Sequence, residues 1–304
     1  MTNTLIQMTV LMFCGAVWRV VSPNRLSADQ TRLVLTSVVY YFLLPAMVLD
    51  VLWKADIGWH SLKFSALGMS VVLLSLLCAA LLAKVLRLKK AQTGAMLLAT
   101  GFPNVTYLGL PVLEQTFGPW TRSVVIQMDL FSIAPLVYTL GIMLAKHYGK
   151  DESRSSASPI AFLNAPPFWA AFIAVVLNLK GLTAPLWLDG LLLKLSAAVA
   201  PLMIFSLGLA LSLRAIKFSN LPFIVPVCLL KLLLMPYLAL QIADGLAFDS
   251  ATRAAAVMDL AMPSMVLGVV LCDRYHLDSS LYAAAVTVTT GFSLLSLPFW
   301  YGVL

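Results

Sequence analysis

The sequence predicts an all-α integral membrane protein of ten transmembrane helices, arranged as two inverted five-helix repeats in which helices 4 and 9 are broken by proline. Three observations predict this fold class. The composition is strongly apolar, ten apolar stretches of spanning length flank one polar segment, and prolines recur at matching places in the two halves. Together they exclude a soluble globular domain and indicate a chain that lies almost entirely within a bilayer.

The composition places the chain among membrane proteins. Hydrophobic residues make up 61% of its 304 residues, charged residues make up 11%, and the mean hydropathy is +0.94. Soluble domains are roughly 45–50% apolar and roughly 25% charged. The first ten residues contain no Lys or Arg, which argues against a cleaved signal peptide. We therefore expect the first apolar stretch to remain as a helix surrounded by membrane lipid.

The sequence offers no cofactor site. Its four cysteines lie singly in apolar stretches and its three histidines fall near loops, so no metal or other cofactor is expected. It contains no GxxxxGK[ST], GxSxG or HExxH motif, which removes ATP hydrolysis and the usual hydrolase chemistries. A membrane enzyme would need His, Asp or Cys clustered at one membrane face. Since that cluster is absent from the sequence, a transporter is favoured over an enzyme.

Ten stretches are long and apolar enough to span, since a transmembrane helix needs roughly 20 mostly apolar residues. They are 4–21, 32–53, 62–86, 91–116, 121–146, 162–180, 188–213, 219–241, 251–272 and 279–303. The hydrophilic segment 148–160 lies midway and separates a first repeat over 1–147 from a second over 161–304. It is a linker, too short for the soluble output domain of a sensor.

The basic residues predict the orientation. Thirteen of the 20 Lys and Arg residues lie in one set of alternate loops, six lie in the other set, and Lys231 lies within a span. Because positively charged loops stay in the cytoplasm, we expect both termini outside and the linker inside. The net charge of +7 follows from this asymmetry, so it gives no reason to expect a nucleic-acid partner.

Prolines relate the two halves. Pro45 in span 2 matches Pro201 in span 7, and Pro103 in span 4 matches Pro263 in span 9. Pro45 and Pro103 are 58 residues apart in the first half, and Pro201 and Pro263 are 62 residues apart in the second. Five spans per repeat is an odd number, so consecutive repeats must have opposite orientations in the membrane. This is the inverted-repeat plan of many secondary transporters.

The breaks at Pro103 and Pro263 are the candidate transport site. A helix interruption in lipid frees backbone groups, and it persists only where protein or a cavity surrounds it. Asn104 and Ser264 each follow one of these prolines, where a half-helix N-terminus offers free N–H groups and partial positive charge to a carboxylate. The alternative is that both prolines produce ordinary kinks.

Four ionisable residues lie within or near the apolar depth, where charges are costly and usually functional. They are Asp50, Asp129, Lys231 and Asp259. The functional interpretation makes Lys231 a counter-charge for substrate or for Asp259, and makes Asp129 or Asp259 a proton site. The alternative is a structural Lys231–Asp259 pair that holds span 8 to the core. Asp50 lies near the outer end of span 2 and is expected to be interfacial.

Four segments carry a family resemblance. They are Pro103–Pro111, Ala261–Ser264, Cys272–Tyr275 and Thr289–Pro298. In their order and spacing the chain resembles the auxin efflux carrier family, the bacterial relatives of the plant PIN auxin exporters. The resemblance implies that the broken helices 4 and 9 cross. It also implies that spans 1, 2, 6 and 7 form a scaffold, that spans 3–5 and 8–10 form a transport domain, and that the protein is a homodimer.

The resemblance also implies a substrate class and site residues. The substrate is a small organic anion, a mono- or dicarboxylate that is auxin-like or malonate-like, and alternating access takes place around the crossed helices. The residues after the two prolines, Asn104 and Ser264, are implied as substrate contacts. Asparagine is frequent near the second proline in that family, so Ser264 predicts a smaller or more apolar substrate. Coupling to protons or sodium stays open, as does an ion or proton-coupled exchanger or a channel of the same architecture.

Overall fold

The computed structural model describes residues 2–23, 26–55, 57–149, 165–211 and 220–304. Within these ranges the chain is helical and has no β-strand, only one isolated β-bridge. Its helices are α1 (Thr2–Val21), α2 (Ala28–Trp53), α3 (Trp59–Val85), α4 (Lys90–Gly101), α5 (Leu110–Phe117), α6 (Thr121–Tyr148), α7 (Pro166–Leu179), α8 (Leu186–Ala210), α9 (Leu221–Gly245), α10 (Ser250–Leu260), α11 (Gly268–Arg274) and α12 (Ser279–Val303).

In length and composition, the helices of the described residues match the predicted all-α membrane protein. In the described residues, α2, α3, α6, α8, α9 and α12 are long and apolar enough to cross a membrane, and Ile6–Val21 and α7 are shorter apolar helices. The predicted spans 91–116 and 251–272 each consist of two shorter helices, α4 with α5 and α10 with α11. The ten-span count and the inverted repeat stay predictions. The predicted linker 148–160 lies outside the described residues from 150 onward.

Four prolines follow a wider helical turn and do not end the helix. Pro45, Pro111, Pro135 and Pro236 each stand two residues after a π-helical turn. Proline has no N–H for the carbonyl four residues earlier, and its ring crowds that carbonyl, so a wider turn relieves both problems. The carbonyl of Leu232, four residues before Pro236, instead accepts a hydrogen bond from Trp300 Nε1 at 2.8 Å.

The helices pack in two groups. In the panel group, which comprises α1, α2, α7 and α8, α1 packs against α8, and both α7 and α8 pack against α2. In the core group, which comprises α3–α6 and α9–α12, α3 packs against α4, α9 against α10 and α12, and α10 against α6. The groups meet where α8 lies against residues 105–117 and where the second half of α2 lies against α6.

Polar interactions tie one end of the panel group together. Asp50 accepts from Lys54 Nζ at 2.6 Å and from Ser196 Oγ at 3.2 Å. Lys54 also pairs with Asp189 of α8. The side-chain amide of Asn178 donates to the carbonyls of Trp53 at 2.9 Å and of Ala55 at 2.7 Å. Asp50, expected at the interface, is therefore a buried carboxylate paired with a half-exposed lysine.

Candidate functional site

The two proline breaks lie side by side in the core group. Pro103 and Ser264 form an antiparallel bridge. The Asn104 N–H donates to the Pro263 carbonyl at 2.9 Å, and the Met265 N–H donates to the Phe102 carbonyl at 3.2 Å. Each break thus satisfies backbone groups that the other break frees, as buried backbone requires. We call these segments, residues 102–104 and 263–265, the paired breaks.

Ser264 is used within the protein. Its hydroxyl donates to the Ala99 carbonyl near the end of α4 at 2.6 Å, and its N–H donates to Thr289 Oγ1 at 3.3 Å. Its side chain is completely buried. Neither Ser264 nor Pro263 is among the residues that line the cavity beside the breaks, whereas Pro103 and Asn104 are. The structure therefore brings the four predicted residues Pro103, Asn104, Pro263 and Ser264 together. Only Pro103 and Asn104 line the cavity.

The cavity beside the paired breaks has a volume of about 560 Å³ and separates the panel group from the core group. Helix α2 forms the panel wall. The half-helix that follows Pro103, together with α6, forms the core wall. The walls are largely apolar, and the polar side chains among the lining residues are Thr36, Ser37, Tyr40, Tyr41, Asn104, Thr106, Tyr107, Asp129 and Tyr138.

Asn104 lines this cavity and has an unused hydrogen-bond donor. The residue is only 2% exposed, and its side-chain Nδ2 has no protein partner. Its carbonyl accepts the first bonds of the next half-helix, from Leu108 N–H at 3.2 Å and Gly109 N–H at 3.0 Å. The N–H groups of residues 105–107 precede these donors, and N–H groups at a helix start have no acceptor within the helix. Side-chain and backbone donors are therefore gathered at one edge of the cavity.

Asp129 places a carboxyl group on the same wall. It begins the π-helical turn Asp129–Ile133 in α6 and lines the cavity. Its Oδ2 accepts a hydrogen bond from Thr106 Oγ1, on the half-helix that follows Pro103. One acidic group therefore lies beside the donors of Asn104 and is held by a hydroxyl from the same half-helix.

Asp259 lies behind this wall, not on it. It is completely buried, and neither carboxyl oxygen has a hydrogen-bond partner. It lies so close to Gly109 that a Cβ there would overlap its Oδ1. An unpaired buried carboxyl group is costly as a charge, so it is retained only as a neutral acid or with a bound cation.

Lys231 and Asp259 form no ion pair, so the predicted pair is wrong. Lys231 is completely buried, and its Nζ lies 2.8 Å from the Met235 sulfur. The π-helical turn Leu230–Leu234, on which Lys231 lies, packs against α3, α4 and α12. Asp259 lies on α10, and neither of its carboxyl oxygens has a hydrogen-bond partner. Lys231 is not among the cavity-lining residues.

The sequence interpretation missed the hydroxyls that join the two groups across the cavity. Tyr40 of α2 and Tyr138 of α6 bring their hydroxyls to 3.3 Å from each other. Both lie in π-helical turns, Val39–Leu43 and Val137–Gly141, and π-helical turns are frequent at functional sites. In the sequence, the signal for the first of these turns is Pro45, which follows it by two residues. The sequence interpretation used it only to align the halves.

Comparison with known proteins supplies the family. A family model described as membrane transport protein matches residues 1–164 and 155–301. An uncharacterized transporter of Methanothermobacter thermautotrophicus is 30% identical over 100% of this chain and 98% of its own length. One from Methanocaldococcus jannaschii is 27% identical over 89% of each chain. The uncharacterized transporter YfdV of Escherichia coli K12 is 22% identical over 69% of this chain and 68% of its own.

Proposed function

Because the chain belongs to the membrane transport protein family, which includes the auxin efflux carriers it resembles, we propose that it is a secondary transporter for a small organic anion. The substrate class is a mono- or dicarboxylate, auxin-like or malonate-like, and the site lies at the paired breaks. The observation that carries the proposal is the buried side-chain Nδ2 of Asn104, which has no protein partner and belongs to a residue that lines the cavity.

The chemistry of that wall suits a carboxylate. Asn104 offers a neutral donor, and the half-helix start beside it offers backbone N–H groups with partial positive charge. Hydrogen bonds to a charged acceptor are roughly twice as strong as neutral ones. The apolar remainder of the walls fits the hydrocarbon part of a small organic acid. Ser264 then acts as a tie between the breaks, and Pro263 shapes the second break without touching substrate.

The position of the cavity supports alternating access. It lies between the panel group and the core group, so sliding or rocking of one group against the other changes which end it faces. The panel group contains the predicted spans 1, 2, 6 and 7, and the core group contains spans 3–5 and 8–10. We assign the panel group as scaffold and the core group as transport domain. In this assignment the broken span 4 (α4 with α5) crosses the broken span 9 (α10 with α11) at the site.

Asp129 and Asp259 are the proposed coupling groups. A charged Asp129 would repel an anion in the same cavity, so uptake of a proton there favours anion binding. Asp259 has no partner for either oxygen, which suits a group that carries a proton or binds sodium during the cycle. We propose proton or sodium coupling through these two acids. An exchanger or a channel of the same architecture is the alternative, and saturable counterflow in proteoliposomes excludes a channel.

The cellular setting follows the charge pattern and the resemblance. We propose a bacterial inner-membrane homodimer surrounded by lipid, with both termini outside and the linker in the cytoplasm. Under that orientation the Arg32 end of α2 faces the cytoplasm. No cofactor or nucleic acid takes part in the proposed cycle. Lys231 is proposed as a structural residue of the core group.

The test is a thermal-shift screen of purified protein against mono- and dicarboxylates at two pH values, with and without sodium. A ligand that binds the folded protein selectively raises its melting temperature. Asn104→Ala removes one hydrogen bond to a charged group, about 1.5–3 kcal/mol, so affinity should fall roughly ten- to a hundredfold. Its folded yield should stay close to that of the wild type, because Nδ2 has no protein partner.

Ser264→Ala is the matched control within the paired breaks. It removes the donor to the Ala99 carbonyl, so the melting temperature should fall while affinity for the ligand stays near wild type. The proposal fails if no carboxylate shifts the melting temperature under any condition. It also fails if Asn104→Ala binds and transports the identified ligand like wild type.

A further inference from the structure

The cavity at the paired breaks continues toward the end of the molecule where α2 begins. A second cavity of about 340 Å³ lies there. The two cavities have five lining residues in common, Leu33, Thr36, Tyr107, Leu267 and Val270. The shared wall makes the two cavities neighbours, with Asn104 lining the first and Asp29 and Arg32 lining the second. We call the two cavities together the path, and the Arg32 end its mouth.

Arg32 is the one basic side chain among the described residues that line either cavity. Each of the two acids that line these cavities, Asp29 and Asp129, has a polar partner. Asp129 accepts from Thr106, and the Asp29 carboxylate lies 3.5 Å from the Arg19 guanidinium. Within the described part of the chain, the Arg32 guanidinium forms no ion pair. Among the described residues, Arg32 therefore brings to the second cavity a positive charge that is not in an ion pair.

The start of α2 does not supply an alternative anion site. The Ser27 hydroxyl accepts from the Gln30 N–H at 3.2 Å, and the Gln30 side chain accepts from the Ser27 N–H at 3.3 Å. These two bonds form a capping box that uses donors at the helix start. Arg32 stands on the next turn, and it lines the second cavity whereas Arg19 does not.

We propose that Arg32 is the entry residue for organic anions, a positioning residue that draws a carboxylate into the path before it reaches Asn104. A charge in a narrow apolar cleft focuses its field and raises the local concentration of the opposite ion. Arg32 thus selects anions over cations and neutral acids at the mouth, and Asn104 holds the carboxylate at the breaks. The inference rests on the proposed function, but its test needs neither a substrate nor transport.

The experiment measures charge selectivity with thiol reagents. The background lacks the native cysteines Cys14, Cys78, Cys228 and Cys272. A single cysteine is placed at Thr36, one turn from Arg32, or at Ala134, on the α6 wall of the cavity. Each reporter is modified with a negatively charged sulfonate methanethiosulfonate and with its positively charged trimethylammonium counterpart, on purified protein in nanodiscs. The readout is the ratio of the two rates.

Arg32→Gln should lower the anion-to-cation rate ratio roughly three- to tenfold at Thr36→Cys, and less at the more distant Ala134→Cys. Arg32→Lys should keep the ratio. Arg87→Gln is the matched control, because it removes an exposed arginine at the same predicted face but outside the path. It should change the ratio by less than roughly twofold.

Three results would overturn the proposal: an unchanged ratio in Arg32→Gln, an equal fall in Arg87→Gln, or no modification of either reporter. The thermal-shift screen judges the transport proposal separately. A carboxylate that binds through Asn104 while the rate ratio ignores Arg32 would reject the entry residue and keep the transporter. If the rate ratio depends on Arg32 but no carboxylate binds in the thermal-shift screen, the role of Arg32 at the mouth is kept and the proposed carboxylate transport is rejected.

Discussion

Asp50 and Asp259 are both buried carboxylates in apolar helices, with 4% and 0% of their surfaces exposed, yet their surroundings differ completely. Both oxygens of Asp50 have partners, Lys54 and Ser196. Neither oxygen of Asp259 has one. Burial alone therefore does not separate structural from functional acids. A paired carboxylate stabilises the fold, whereas an unpaired one gains most from a proton or cation arriving during a cycle.

The same contrast extends to the regions around them. In the panel group, polar bonds tie α2, α7 and α8 together, and the backbones of α1 and α8 touch where Gly15 lies against Gly208. Beside the paired breaks, Asn104 and Asp259 both have side-chain atoms without partners. Trp18 and Ser206 of the panel group also have such atoms, but its buried carboxylate, Asp50, is fully paired. The proposed scaffold therefore has polar ties between its helices, and the proposed transport domain has an unpaired buried carboxylate.

The largest expected effect comes from breaking the panel group. A Cβ on Gly208 would overlap the Met12 backbone carbonyl, and backbone cannot move aside as a side chain does. Gly208→Val should therefore lower the free energy of unfolding by about 1–3 kcal/mol or prevent folding. The measurement is folded yield and melting temperature in detergent. Gly190→Val, in the same helix with nothing within 4 Å of its Cβ, should stay within about 1 kcal/mol of wild type.

A stable Gly208→Val protein would show that α1 and α8 separate easily. The panel group would then be no more rigid than the core group, and the contrast between the regions would lose its mechanical meaning.

The two aspartates give the next largest effect. Asp50→Asn weakens the bond to Lys54 and should cost about 1–3 kcal/mol in the free energy of unfolding. Asp259→Asn removes no hydrogen bond seen in the structure and should change stability by less than about 1 kcal/mol, while it abolishes the pH or sodium dependence of transport. Melting temperatures and counterflow at two pH values check both. Equal losses of stability in Asp50→Asn and Asp259→Asn would contradict the distinction between a paired structural carboxylate and an unpaired one.

The sequence predicted the features that depend on composition and on single residues. Ten apolar stretches gave helices close to their predicted places, because spanning length is dictated by the bilayer. The breaks at Pro103 and Pro263 were recognised because both carry nearby Gly or Ser and match between halves. The same reasoning could not anticipate that Pro45, Pro135 and Pro236 would leave their helices continuous, since that depends on π-helical turns and on partners such as Trp300.

The site was predicted less well than the fold, because side-chain direction depends on packing. Asn104 and Ser264 have equivalent positions in the sequence, yet one faces the cavity and the other bonds to Ala99. Lys231 and Asp259 both lie at membrane depth, but the nearest polar partner of Lys231 is the Met235 sulfur and Asp259 has no partner. Arg32 drew attention only as part of the orientation count. Its place at a cavity mouth required the three-dimensional structure.

The smallest expected effect tests the corrected pairing of Lys231. Its Nζ contacts only the Met235 sulfur among the described hydrogen-bond partners, so Lys231→Met removes a buried polar group and keeps an unbranched chain of similar length. Stability should be unchanged or rise by about 1 kcal/mol. The control Lys194→Met, at an exposed position of α8, should be neutral.

Combining Lys231→Met with Asp259→Asn distinguishes an absent pair from a hidden one. Separate sites without shared partners change stability additively, within about 0.5 kcal/mol. We therefore expect the double variant to equal the sum of the single changes in melting experiments. If Lys231→Met instead costs about 3–5 kcal/mol and Asp259→Asn restores it, the two residues form a buried ion pair. Asp259 would then join Asp50 as a structural carboxylate, and the contrast between the two regions would rest on Asn104 alone.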